Sequence, residues 1–158
     1  MNKLKIAVIG TGLVGSFHAE TFYRNPNSEL VAVCDLDKEK ANSIANKFNC
    51  KAYENFEQLI TTETLDAISI ATPEQIRIEP AVLSIKKGLK ILLEKPLGRN
   101  LEQIKSLVDK IKDHNKIISV NLILHEDPRY KLMKEKIKNN EIGNIVSCFA
   151  RRRGNRFG

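Results

Sequence analysis

Two hydrophobic patterns alternate along this chain. Short runs rich in β-branched and aliphatic residues, Leu4 to Ile9, Leu30 to Cys34, Ala67 to Ala71, Ile91 to Leu93 and Ile117 to Val120, read as strands. Between them lie segments of helical period, Val14 to Arg24, Lys38 to Phe48, Pro80 to Lys87 and Leu101 to Asp113. The last carries Leu101, Ile104, Leu107, Val108 and Ile111 on one face, and Asn100 with Gln103 supplies the capping-box pair that opens it. A brief strand at Ala52 and Tyr53 precedes a short helix from Phe56 to Thr61. Strand followed by helix, repeated, is the mark of βα units. The predicted fold is α/β, a Rossmann-type doubly wound parallel sheet in three layers. Beyond it, Asp127 to Asn139 reads as one more helix and Ile145 to Ala150 as a strand.

Composition narrows the class. A hydrophobic fraction of 42% with 28% charged residues is that of a globular domain, and no run approaches the roughly 18 apolar residues of a membrane span. Lys3 and Lys5 before Ile6 to Ile9 imitate a signal peptide, but four apolar residues are too few, so a cytoplasmic protein is expected. Cys34, Cys50 and Cys148 are odd in number and widely spaced, with no C-x-x-C pair for zinc or redox work, and read as buried or incidental thiols; no metal site is expected. Of the net charge of +7, Arg151, Arg152, Arg153 and Arg156 contribute four, so the rest of the chain is near balance. No aromatic platform or groove-reading motif accompanies them, and neither a nucleic-acid partner nor a membrane is expected.

The chemistry-bearing residues stand at strand ends. Gly10-Thr11-Gly12-Leu13-Val14-Gly15 follows an apolar strand and opens a helix, the context that gives a G-x-G-x-x-G run its meaning as a dinucleotide loop. The first glycine allows the tight turn, the second a close approach to pyrophosphate, the third close helix–strand packing. Asp35 ends the second strand, near the spacing at which an acid accepts from the adenosine ribose, and favours NAD over NADP. Its alternative role, capping the helix from Lys38, is better filled by Asp37; Lys38 offers a base for a 2′-phosphate if it swings inward. Ala71-Thr72-Pro73 and Glu94-Lys95-Pro96 close two further strands, where ligands bind in open α/β sheets.

The order of these motifs resembles the Gfo/Idh/MocA oxidoreductases, sugar and polyol dehydrogenases that use NAD(P). The likeness runs from Lys5 to the end: the glycine loop with His18-Ala19, Leu30 to Asp35, Ile70 to Pro73, Glu94-Lys95-Pro96-Leu97, and Asp127-Pro128-Arg129-Tyr130 followed by Ile142-Gly143. It implies that Lys95 is catalytic, beside the nicotinamide and the substrate carbon, that Thr72, Pro73, Glu94 and Asn121 line the cofactor cleft, and that the Lys95–Pro96 peptide is cis. It also implies a division into a nucleotide domain at 1–122 and, at 123–158, a connecting helix and first strand of a truncated substrate domain. On that reading the 158 residues are inactive alone and the exposed last strand invites self-association. The alternative is a free-standing NAD-binding or sensing module that acts with a separate subunit. Two departures bear on substrate: Arg77 stands where family members often have His, and His125-Glu126 where many have Arg-Phe. His18 and His114 fall on helices, and His125 is the one histidine the sequence places near the cleft.

Overall fold

The computed structural model describes residues 2–112 and 118–151. Asp113, His114, Ile117, Arg152, Arg153 and Arg156 therefore lie outside the described residues. Strands β1 (Leu4–Ile9), β2 (Ser28–Cys34), β3 (Lys51–Tyr53), β4 (Ala67–Ile70), β5 (Lys90–Leu93) and β6 (Ile118–Val120) form one parallel sheet in the order β3-β2-β1-β4-β5-β6. Helices α1 (Leu13–Arg24), α2 (Lys38–Phe48), α3 (Phe56–Thr62), α4 (Ile78–Lys86) and α5 (Leu101–Ile111) supply the crossovers, with a 3-10 turn at Glu74–Ile76 ahead of α4. The chain order reverses between β1 and β4, the switch point at which such sheets bind ligands.

The apolar runs form strands because both of their faces are covered. Ala7 and Ile9 of β1 join Ala32, Ile68, Ile70, Ile91 and Leu93 in a core shared with Leu59 and Ile60 of α3, Ile85 of α4 and Leu107 of α5. On the opposite face Val8, Leu30 and Val33 pack with Ala19 of α1 and with Ala45 and Phe48 of α2. Each of the larger side chains, taken fully from water, contributes about 1.5–3 kcal/mol, so the sheet cannot slip by one residue without exchanging two cores.

The helix starts differ in one respect that matters later. Asp37 accepts from the Glu39 and Lys40 amides, Asn55 from those of Glu57 and Gln58, and Asn100 from that of Gln103. Helix α1 starts at Gly12 and has no side-chain cap and no acid in its first turn. The capping box of α5 is shifted by one residue: Gln103 reaches back to the Arg99 amide, at 2.9 Å, rather than to that of Asn100.

The chain divides into two compact units, 1–121 and 122–158. In the second, α6 (Ile123–Glu126) and α7 (Pro128–Lys138) are formed, the latter capped by Asp127. The expected strand from Ile145 to Ala150 is not: these residues are irregular and exposed, with Val146 at 95% and Phe149 at 89%. A strand exists by virtue of its ladder, and these residues pair with no strand among the described residues. The sheet edge through which self-association was expected is accordingly absent among the described residues. No helix among them is long and apolar enough to cross a membrane. Cys34 is buried, Cys50 half-buried and Cys148 exposed, none of them paired, and burial, with the Asp35 charge adding to it, pushes the Cys34 thiol up to about 12.

Candidate functional site

The residues singled out at strand ends lie in one row. Each donates its amide one step past the end of its own strand to a neighbour: Gly10 to Cys34 (2.7 Å), Asp35 to Tyr53 (3.1 Å), Ala71 to Ile9 (2.8 Å), Glu94 to Ile70 (3.0 Å) and Asn121 to Leu93 (2.8 Å). Consecutive carboxyl ends thus bring Gly10, Asp35, Ala71, Glu94 and Asn121 to the same edge of the sheet.

The three loop glycines have three different reasons. Gly10 sits at φ +88°, and a Cβ there would lie 2.9 Å from the Ala71 carbonyl and the Thr72 nitrogen. A Cβ on Gly15 would collide with the Gly10 carbonyl oxygen, so this glycine lets α1 close on the loop. A Cβ on Gly12 would meet nothing within 4 Å. No atom of the described residues requires a glycine at position 12, and the space a Cβ would fill lies at the uncapped start of α1. First-turn amides and the positive end of the helix dipole there suit a phosphate.

Asp35 holds this loop in shape. One carboxylate oxygen accepts from the Thr11 amide (2.7 Å) and hydroxyl (3.0 Å), and the other from the Asp37 amide (3.0 Å). With about four lone-pair sites on a carboxylate, the oxygen facing Asp37 keeps one free. Asp37, as expected from its position, caps α2. Leu13 and Val14 are exposed beside the loop, while Thr11 and Thr72 are buried, and the Thr72 hydroxyl has no partner among the described residues.

Farther along the row a buried polar cluster joins three strands to α1. The Glu94 carboxylate accepts from its neighbour's amide, Lys95 (3.0 Å), and from the Asn121 side-chain amide. Asn121 also reaches His18 Nε2 at 3.2 Å, and His18 Nδ1 meets the Ser69 hydroxyl at 2.8 Å. Asn121 donates to Glu94, while the His18 ring meets Ser69 through Nδ1 and both Asn121 and Glu94 through Nε2, its tautomer setting which of these contacts it donates to. Burial holds the His18 pKa below its ordinary value, opposed by the Glu94 charge 3.3 Å away. The sequence set His18 aside as a helix residue. The signal that places it was its spacing, one turn beyond Gly15 and next to Ala19, on the strip of α1 that faces the sheet.

Lys95 is exposed, and its ammonium has no partner among the described residues; the Lys95–Pro96 peptide is cis, as the resemblance implied. Arg77 is the residue the sequence left without a place here. It is buried, its guanidinium bonded to carbonyls of Thr72, Glu94 and Pro96, and burial lowers its pKa against the pull of Glu94 and Glu74. His125 lies on α6, in the second unit.

A six-stranded parallel sheet with a glycine loop entering an uncapped helix at its switch point defines a Rossmann dinucleotide-binding domain. Residues 4–122 match the family described as an oxidoreductase family with an NAD-binding Rossmann fold, and the chain belongs to that Gfo/Idh/MocA family. It is 32% identical over 147 residues to glucose-6-phosphate 3-dehydrogenase of Bacillus subtilis, covering 90% of this chain and 40% of that protein. To scyllo-inositol 2-dehydrogenase (NAD(+)) of the same organism it is 29% identical over 147 residues, covering 92% and 43%. The crystal structure of myo-inositol 2-dehydrogenase from Lactobacillus plantarum superposes with a TM-score of 0.86 at 30% identity, covering 92% of this chain and 44% of that one. The chain thus spans between 40% and 44% of the length of these relatives.

Proposed function

We propose that residues 1–122 hold NAD along the carboxyl ends of the strands, as the nucleotide-binding part of a dehydrogenase acting on a hydroxyl-bearing carbon of a polyol, sugar or sugar nucleotide. Residues 123–158 lead, on this reading, into its substrate domain. The observation that carries the proposal is the start of α1, where an unrequired glycine, open space and uncapped amides coincide. These are what a pyrophosphate needs, and a loop that merely turned the chain would not need them. The unpartnered Thr72 hydroxyl, buried at the next strand end, fits the same ligand.

In this reading the amides from Thr11 to Gly15 take the pyrophosphate, and the free lone pair of Asp35 accepts from a ribose hydroxyl. Ala71, Thr72, Pro73, Glu94 and Asn121 line the far end of the cleft. The bound dinucleotide supplies the hydride acceptor. Lys95, on a loop braced by the Glu94–Asn121–His18 cluster, donates to the oxygen of the reacting hydroxyl and orients it. Support for a polyhydroxylated substrate comes from the relatives, named for glucose 6-phosphate and for inositols. These names also speak against a module that only senses NAD.

Fluorescence titration of the chain with NADH tests this. Saturable binding is expected, with Gly12→Val weakening it at least tenfold, on the order of 1.4 kcal/mol or more, while the melting temperature stays within about 4 °C because a Cβ at this position has no atom of the described residues within 4 Å. Absence of wild-type binding, or undiminished binding by Gly12→Val, sinks the reading.

A further inference from the structure

Arg77 is a buried cation whose hydrogen-bond partners are all backbone carbonyls. It sits between the 3-10 turn Glu74–Ile76 and α4, 4% exposed, and no carboxylate pairs with it among the described residues. One Nη donates to the carbonyls of Glu94 and Pro96, the other to that of Thr72, and its Nε is buried without a partner. Burying a guanidinium is costly unless its donors are met, and here the acceptors that meet it come from two loops only.

The identity of those loops gives the arrangement its meaning. Thr72 follows β4, and Glu94 and Pro96 follow β5, adjacent strands in register from Ala67 with Lys90 to Ile70 with Leu93. The carbonyls of Glu94 and Pro96 belong to the residues immediately before and after Lys95. Lys95 itself has an exposed side chain without a partner among the described residues, so its place is set by its backbone, and that backbone is held on both sides by one planar fork. A guanidinium can span such a set of carbonyls with its fixed donors. A lysine keeps the charge but only as a point at the end of a flexible stem, and an imidazole has at most two donors.

We infer that Arg77 is a positioning residue: by fastening the peptide groups on either side of Lys95 to the loop that closes β4, it fixes where the Lys95 ammonium stands at the nicotinamide end of the cleft. This rests on the function proposed above, in which Lys95 meets the substrate hydroxyl beside the bound dinucleotide. The clamp acts at one end of the cleft. The glycine loop and Asp35, which would hold the adenosine and pyrophosphate, share no hydrogen bond with Arg77 among the described residues.

Two measurements on the full chain test the inference, using Arg77→Lys, which keeps the charge and most of the stem, and Arg77→Met. In hydrogen–deuterium exchange read by mass spectrometry, both variants are expected to exchange about tenfold or more faster in segments 71–77 and 94–99, since each lost bond to a charged donor is a loss of this order. Segments 4–9 and 28–34 should keep wild-type protection. Acceleration throughout the sheet, or none, overturns the inference, the former because it marks Arg77 as a general structural residue. In parallel titrations, Arg77→Lys should weaken NADH about tenfold and ADP-ribose, which lacks the nicotinamide, less than about twofold. Equal losses for the two ligands, or no loss of NADH, also overturn it. If the wild-type chain binds neither ligand, it is the proposed function that falls, and the exchange pattern still decides whether Arg77 clamps the Lys95 segment. If Arg77→Met fails to fold, Arg77→Lys carries both measurements.

Discussion

On the proposed function, Asp35 serves fold and ligand with one side chain. Three of its acceptor positions are committed to Thr11 and Asp37, so it is part of the loop before any ribose arrives. On that reading its negative charge would stand at the adenosine end and disfavour a 2′-phosphate, and Lys38, the nearest base in sequence, pairs with Glu54 at 3.0 Å on the surface. NADH is therefore expected to bind at least tenfold more tightly than NADPH, on the order of 1.4 kcal/mol. Asp35→Asn should narrow that gap while lowering stability by about 1–3 kcal/mol, because one amide oxygen cannot replace two carboxylate oxygens for Thr11 and Asp37. Comparative titration and thermal melting read the two effects separately. A wild-type preference for NADPH would remove Asp35 from the role of cofactor selector.

At the scale of elements, α1 carries a pH-sensitive contact into the sheet. The imidazole of His18 is held neutral by burial, with Glu94 opposing, so its pKa in the folded chain lies below the ordinary value of about 6.5. Between those two values the unfolded chain binds the proton more readily, and stability rises with pH. The contribution of His18 is thus complete above about pH 6.5 and is lost as pH falls toward the folded pKa. Protonation would also make a donor of each ring nitrogen, which suits the Glu94 carboxylate 3.3 Å from Nε2 but not the Asn121 side-chain nitrogen beside it. Denaturation midpoints between about pH 5 and 8 should fall on the acid side of 6.5, and His18→Gln should flatten that slope. An unchanged slope in the variant would assign the acid sensitivity to other groups. The same helix marks where reading the sequence stops. Strands such as Ile6 to Ile9 and Ile91 to Leu93 are legible because burial on both faces writes itself as an unbroken apolar run, and helix starts such as Asp37 and Asn100 because caps are local. His18 meets Asn121 across 103 residues, and Arg77 bonds to carbonyls that every residue possesses, so neither contact leaves a mark in residue type. The run from Ile145 to Ala150 has strand composition, but pairing depends on a neighbour that composition cannot reveal.

For the molecule as a whole, the first unit holds every residue of the row from Gly10 to Asn121, and the second begins at Leu122. Within the first, the cleft opens where β1 meets β4, a pairing of Ile6 through Ile9 with Ala67 through Ile70 that joins segments far apart in the chain. The hairpin-like economy of neighbouring segments is unavailable there, and the loop between them must be closed before any of these contacts forms. A chain in which β1, β2 and β3 have assembled without β4 has the glycine loop but neither the Ala71 wall behind Gly10 nor the Glu94 cluster beside it. On this topology the ligand-competent surface is expected to form late in folding, so that a dinucleotide would meet it only after the rate-limiting barrier. NADH at about 100 times its dissociation constant stabilises the native state by about 2.7 kcal/mol, and this should appear almost entirely as slower unfolding in stopped-flow jumps, with the refolding rate unchanged. Refolding accelerated by NADH would mean that the cleft already exists in the transition state. With the expected outcome, cofactor acts as a kinetic lock, lengthening the life of molecules already folded without helping new ones to fold.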